Sequence, residues 1–143
     1  MPMSVLIVDD SDALRNAMRD FFESLPGWTV GGEAKNGTEA VQKALALKPE
    51  LIILDCSMPN MNGLEAASVI KKMLPNVYII VFTLFDDALG ARLSSAAGVD
   101  LIISKADGLT ALVKAVQKFV GMSGPTGLQP KTTLPLPGAS EQP

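Results

Sequence analysis

The sequence predicts an α/β domain, a doubly wound parallel sheet with helices on both faces, from three observations. Five short apolar runs alternate with five helix-like segments along the chain. Several of those runs are apolar at every position, as strands covered on both faces are. All but one of the runs lead straight into polar side chains, namely Asp9-Asp10, Asp55, Thr83 and Lys105. Each strand-helix-strand crossover is expected to be right-handed, which places helices on both sides of the sheet.

The elements follow in order. Val5-Leu6-Ile7-Val8 is the first strand, and Leu14, Ala17, Met18, Phe21, Phe22 and Leu25 then recur at helical spacing until Pro26-Gly27. Trp28 to Ala34 is more polar and carries two glycines, which predicts an edge strand. Asn36-Gly37-Thr38 opens a second helix bearing Ala40, Val41, Ala44 and Leu45, and Lys48-Pro49 closes it. Leu51 to Leu54 is a buried strand ending at Asp55. After the loop Met58 to Gly63, a third helix runs to about Leu74, where Pro75 punctuates it. Val77 to Phe82 forms the fourth strand and ends at Thr83. A fourth helix is expected over Asp86 to Ala97, halted by Gly98. Leu101-Ile102-Ile103 then delivers Lys105, and Asp107 is placed to cap a last helix carrying Leu109, Leu112, Val113, Val116 and Val120. From Gly124 the pattern dissolves into Gly, Pro, Thr and Ser. The expected division is a domain over 1–121 and a flexible Gly/Pro-rich tail or linker over 122–143. Leu134-Pro135-Leu136-Pro137 is too short a match to favour a polyproline ligand over a linker.

Composition narrows the function. At 143 residues, 48% hydrophobic and 19% charged, the chain is long and apolar enough for one globular core. A net charge of −3 with scattered Lys and Arg argues against a nucleic-acid backbone binder. The absence of histidine excludes imidazole-based nucleophile systems and imidazole metal sites. One cysteine allows no internal disulfide, which suits a reducing compartment. No apolar run approaches the roughly 20 residues of a membrane span, and no signal peptide opens the chain. A cytoplasmic protein is expected.

Ligands of open parallel sheets bind outside the carboxyl ends of the strands. Asp9, Asp10, Asp55, Thr83 and Lys105 should therefore gather on one rim. Carboxylates ~4 Å apart repel by on the order of 4 kcal/mol per pair at an effective dielectric of ~20. Such a cluster stays ionised around a cation, and all-oxygen ligands select a hard one. Mg²⁺ fits, because it takes one or two carboxylates and shares its remaining positions with water and phosphate. Lys105 adds a second positive charge for the oxygens of a phosphoryl group approaching Asp55. The single-residue alternatives are plainer. The acidic pair alone would serve as helix capping, Thr83 alone as a strand terminus, and Lys105 alone as a solvated lysine. Cys56 should face away from Asp55 into packing, with no basic neighbour to activate it.

These residues carry a family resemblance. Val5-Leu6-Ile7-Val8-Asp9-Asp10, Asp55-Cys56-Ser57-Met58-Pro59-Asn60-Met61-Asn62-Gly63, Val81-Phe82-Thr83 and Ser104-Lys105 are similar to the receiver domains of bacterial two-component response regulators, over roughly residues 4–121. The closest flavour is the receivers of LuxR-type regulators. The resemblance implies a flavodoxin-like five-stranded sheet of order 2-1-3-4-5. It implies Asp55 as phosphoacceptor, and Mg²⁺ bound directly by Asp10 and Asp55, by Asp9 mainly through water, and by the Ser57 carbonyl. Thr83 takes the place of the switch hydroxyl and Lys105 that of the lysine bridging to Asp55. The implied donor is a phosphohistidine on a histidine kinase or phosphotransfer protein. The output is a downstream effector protein met through the face of the fourth helix, fifth strand and fifth helix. A monomer or a phosphorylation-dependent dimer is implied, with no direct nucleic-acid binding and no membrane contact by this chain.

Two departures stand out. Ile102 occupies the position where the family often has an aromatic residue coupled to the threonine. Ala106 stands where proline commonly follows the lysine, and the family's cis bond is expected to persist there despite a cost of ~2.5–4 kcal/mol for a non-proline residue. Rival readings lack their chemistry. An aspartate-nucleophile phosphohydrolase would want a second Asp where Ser57 stands. A flavin or dinucleotide site would want a phosphate cradle where Asp9, Asp10 and Asp12 stand. A receiver-like module working without phosphorylation would lack one of the essential residues, and none is missing.

Overall fold

The apolar runs become five strands in the computed structural model, which describes residues 3–55, 61, 63–83 and 98–123. They are β1 (Met3–Val8), β2 (Trp28–Ala34), β3 (Leu51–Leu54), β4 (Tyr78–Thr83) and β5 (Leu101–Ser104). All pair in parallel, in the order β2-β1-β3-β4-β5. This is the implied flavodoxin-like order. The polar run Trp28–Ala34 is an edge strand as expected, and a bulge between Val5 and Leu6 of β1 skips Gly31 of β2 in the pairing. The expected helix over Asp86 to Ala97, the loop residues Cys56, Ser57, Met58, Pro59, Asn60 and Asn62, and the tail from Gly124 lie outside the described residues.

The described residues form four α-helices: α1 (Asp12–Glu23), α2 (Gly37–Leu47), α3 (Gly63–Met73) and α4 (Gly108–Ser123). The chain divides into two compact units at Gly108, the first holding the sheet and α1 to α3. In that unit α2 and α3 cover one sheet face. Ala40, Ala44, Ala66, Ala67 and Ile70 pack there against Leu6, Val8, Ile52, Leu54 and Ile79. Four alanines let the two helices approach the sheet closely, and branched side chains of the strands fill the layer between. Alternation along β1 turns Val5 and Ile7 to the other face. Helix α1 packs against β1 and β2 and buries Met18 and Phe22. Phe22 meets Phe21 and Trp28 edge-on, at ring separations of 4.9 and 5.2 Å. The second unit contains α4, in which Leu112, Val116 and Phe119 are buried.

Local chemistry sets the boundaries. The Ser11 hydroxyl accepts from the Leu14 N–H at the start of α1, and the Asn36 side chain accepts from the Glu39 N–H at the start of α2. After the Pro26-Gly27 pair ends α1, Gly27, with φ +86°, makes a left-handed turn into β2. At the amino-terminal edge of the sheet, Lys71 pairs with Asp100 at 2.5 Å and donates to the Val77 carbonyl. Asp100 in turn accepts the Ile79 N–H, so α3, β4 and β5 share one clamp. One expectation is overturned. No described peptide bond is cis, so the Lys105–Ala106 bond is trans. Residues Lys105–Asp107 form a 3₁₀ turn in which the Ala106 N–H donates to the Ser104 hydroxyl, a local bond that makes the costlier isomer unnecessary.

Candidate phosphoacceptor site

The rim is built from strand ends that stay tied to the sheet. The Asp9 N–H donates to the Ala34 carbonyl of β2, and the Asp55 N–H donates to the Val8 carbonyl of β1. The ladders thus run on through the two acidic residues, and both carboxylates stand on rigid backbone. Asp9 and Asp55 are 1% and 3% exposed, whereas Asp10 lies open to solvent. Carboxylate oxygens of Asp9, Asp10 and Asp55 all lie within 4.8 Å of one another. Thr83, also buried, ends β4 in register with Ser104 of β5, the residue just before Lys105.

Lys105 closes the cluster. Its ammonium lies 2.9 Å from Asp9 Oδ2 and 3.5 Å from Asp55 Oδ1. Burial pulls the lysine pKa down, but the hydrogen bond to Asp9 and the charges of Asp55 and Asp9 outweigh it and hold the pKa above the ordinary value. Both oxygens of the Asp9 carboxylate are engaged, Oδ1 accepting the Ser11 N–H at 2.9 Å and Oδ2 accepting from Lys105. One ammonium cannot neutralise three carboxylates. The all-oxygen set, part buried and part open, is of the kind that suits a hard divalent ion such as Mg²⁺, and Asp9, Asp10 and Asp55 are the residues that could hold one.

The structure therefore brings Asp9, Asp10, Asp55 and Lys105 together and puts Thr83 at the end of the strand beside β3; Ser57 lies outside the described residues. Two further residues touch this rim without any sequence signal. Arg15 of α1 donates from Nη1 to the Asp9 carbonyl at 2.7 Å. Gly37 opens α2 against the loop after Asp55, and a Cβ there would stand 2.0 Å from the Met61 carbonyl oxygen. A surface-helix arginine and a helix-opening glycine have too many ordinary roles to be singled out from sequence.

A five-stranded sheet of this order with an acidic, lysine-topped carboxyl rim defines the class of doubly wound α/β domains that carry their chemistry on strand-end loops. Within that class, the chain matches the family model of the response regulator receiver domain over residues 5–117. It is 34% identical over 118 residues to the response regulator protein VraR of Staphylococcus saprophyticus, covering 82% of this chain and 56% of the relative. The receiver domain of Thermotoga maritima CheB superimposes with a TM-score of 0.75 at 32% identity, over 82% of this chain and 96% of that one. CheY from a Borrelia burgdorferi CheX-CheY-BeF₃-Mg²⁺ complex gives a TM-score of 0.76 at 26% identity, over 83% and 90%. The chain belongs to the response regulator receiver domain family of two-component systems, and it spans about half the length of the VraR relative.

Proposed function

We propose that this receiver accepts a phosphoryl group on Asp55 from a phosphohistidine donor and passes the signal on as a change of protein-interaction surface. The observation that carries the reading is the meeting of three carboxylates within 4.8 Å under a lysine that contacts two of them. An Asp55 oxygen attacks phosphorus, a P–O bond forms, the donor's P–N bond breaks, and the imidazole leaves. Lys105 already spans Asp9 and Asp55, so its ammonium is in place to meet the incoming phosphoryl oxygens. The Thr83 hydroxyl is the group that turns to the phosphoryl once attached. Asp10 and Asp55 would hold Mg²⁺ directly and Asp9 mainly through water, with the Ser57 carbonyl as a further ligand. When bound, Mg²⁺ neutralises the acidic cluster and the charge on the transferred oxygens. The magnesium and BeF₃ of the Borrelia CheY complex support the same assignment by likeness.

On this reading the chain is a signalling phosphoacceptor rather than a metabolic enzyme. Its partners are a histidine kinase or phosphotransfer protein and a downstream effector, and its place is the cytoplasm. No described helix is long and apolar enough to cross a membrane. The receiver spans 1–121, followed by the 122–143 linker or tail. The test is labelling by acetyl phosphate or a phosphohistidine donor with Mg²⁺ present. Wild type should label, Asp55→Asn should not, and undiminished labelling of the variant would place the acceptor elsewhere.

A further inference from the structure

The acidic pocket is held from behind by a network that its own chemistry does not require. Arg15 is only 14% exposed at its side chain. Its guanidinium spends all three of its nitrogens on different partners. Nη1 donates to the Asp9 carbonyl at 2.7 Å, Nε faces Glu33 Oε1 at 3.3 Å, and Nη2 contacts Asp12. Glu33 lies on the edge strand β2, one residue before the Ala34 whose carbonyl takes the Asp9 N–H. Its other oxygen is held by Arg19, and its carbonyl accepts from Lys43 of α2. The main chain of Asp9 is thus gripped on both sides, at N–H by β2 and at C=O by Arg15. The side chain above it has one oxygen bonded to Ser11 and the other to Lys105.

We propose that Arg15 is a positioning residue for the acidic pocket, oriented by Glu33, and that the pair sets the pocket's affinity for a divalent cation without touching the ion. The planar fork is what the place demands. Three acceptors in different directions suit a guanidinium, whereas a lysine ammonium at the end of a flexible stem holds them less firmly. Partners one step behind a metal ligand commonly change affinity by about 10- to 100-fold when removed.

The sign of the effect separates this role from plain electrostatics. Arg15 is a cation beside an anionic pocket, so deleting its charge should tighten cation binding if charge alone matters. Positioning predicts the reverse. The inference rests on the pocket taking a divalent ion, and titration of the full chain with MgCl₂ by calorimetry tests both. Arg15→Gln should weaken Mg²⁺ binding by about tenfold, and Arg15→Lys should recover part of the loss. Glu33→Gln, which leaves Arg15 and its charge in place, should weaken binding by a smaller factor. Combined with Arg15→Gln it should add nothing further. Should Arg15→Gln fail to fold, as circular dichroism reports, Arg15→Lys, which keeps the charge but not the planar fork, carries the decision by binding Mg²⁺ more weakly than wild type. Affinity unchanged or tighter in the folded variants overturns the positioning role, even with wild type binding normally. No Mg²⁺ uptake by wild type overturns the functional reading itself.

Discussion

Asp9 and Asp10 are neighbours with opposite situations, one buried and bonded at both carboxylate oxygens, the other open to solvent. Among the described residues, removing the negative charge of Asp9 leaves Lys105 paired with Asp55, while removing that of Asp10 breaks no ion pair of the pocket. Tyr78, the one tyrosine of the chain, offers an independent check far from that chemistry. Burial first, and the charge of Asp100 second, push its pKa above the ordinary 10.0. The folded chain therefore keeps the phenol neutral where the unfolded chain begins to ionise. Its contribution to stability is whole below the unfolded pKa and drains away as pH climbs through the raised folded value. An absorbance titration of phenolate should show the folded midpoint above that of the denatured chain. Tyr78→Phe should flatten this part of the stability–pH curve. Single residues were unequally legible in the sequence. Asp9, Asp10, Asp55 and Lys105 stand at strand ends, where residue type and place together betray a role. Arg15 donates to a main-chain carbonyl and Gly37 leaves room for the Met61 main chain, and neither relation leaves a trace in residue type. The cis bond expected at Ala106 failed for a local reason, the 3₁₀ turn with its own Ser104 bond.

At the scale of elements, periodicity located the strand ends to within two residues, β1 starting at Met3 rather than Val5. β4 starts at Tyr78 rather than Val77, and β5 extends through Ser104. Caps and packing then make measurable claims. Asn36→Ala removes the acceptor for the Glu39 N–H and should lower stability by about 1 kcal/mol in denaturant unfolding. Phe22→Ala empties a fully buried site between α1 and Trp28, at a cost of about 3–5 kcal/mol. Gly37→Ala is different in kind. Its new methyl meets main chain rather than a yielding side chain, so either α2 or the Met61 loop must shift. Overpacking of this sort costs about 1–3 kcal/mol. Because the loop leads back toward Asp55, the labelling rate should fall along with the unfolding midpoint.

For the whole molecule, sheet order was legible through family resemblance rather than through any count of apolar residues. Periodicity alone permits several strand orders; the strand-end acids and the Asp-x-x-Met-Pro-x-Met-x-Gly motif selected among them. Loading the pocket should stabilise the entire chain by mass action. Mg²⁺ at about 100 times its dissociation constant adds about 2.7 kcal/mol if the unfolded chain does not bind it. Scanning calorimetry should record a rising melting temperature with MgCl₂, and the rise should vanish in Asp55→Asn.

The acids and the lysine follow the first, third and fifth strands, and apart from the adjacent Asp9 and Asp10 they are brought together only by the sheet. A nascent or mispaired chain consequently owns every reactive group yet assembles no receptive pocket. If Asp55 is the acceptor, conformational quality control comes free with this architecture: only copies that have completed their sheet can join the relay.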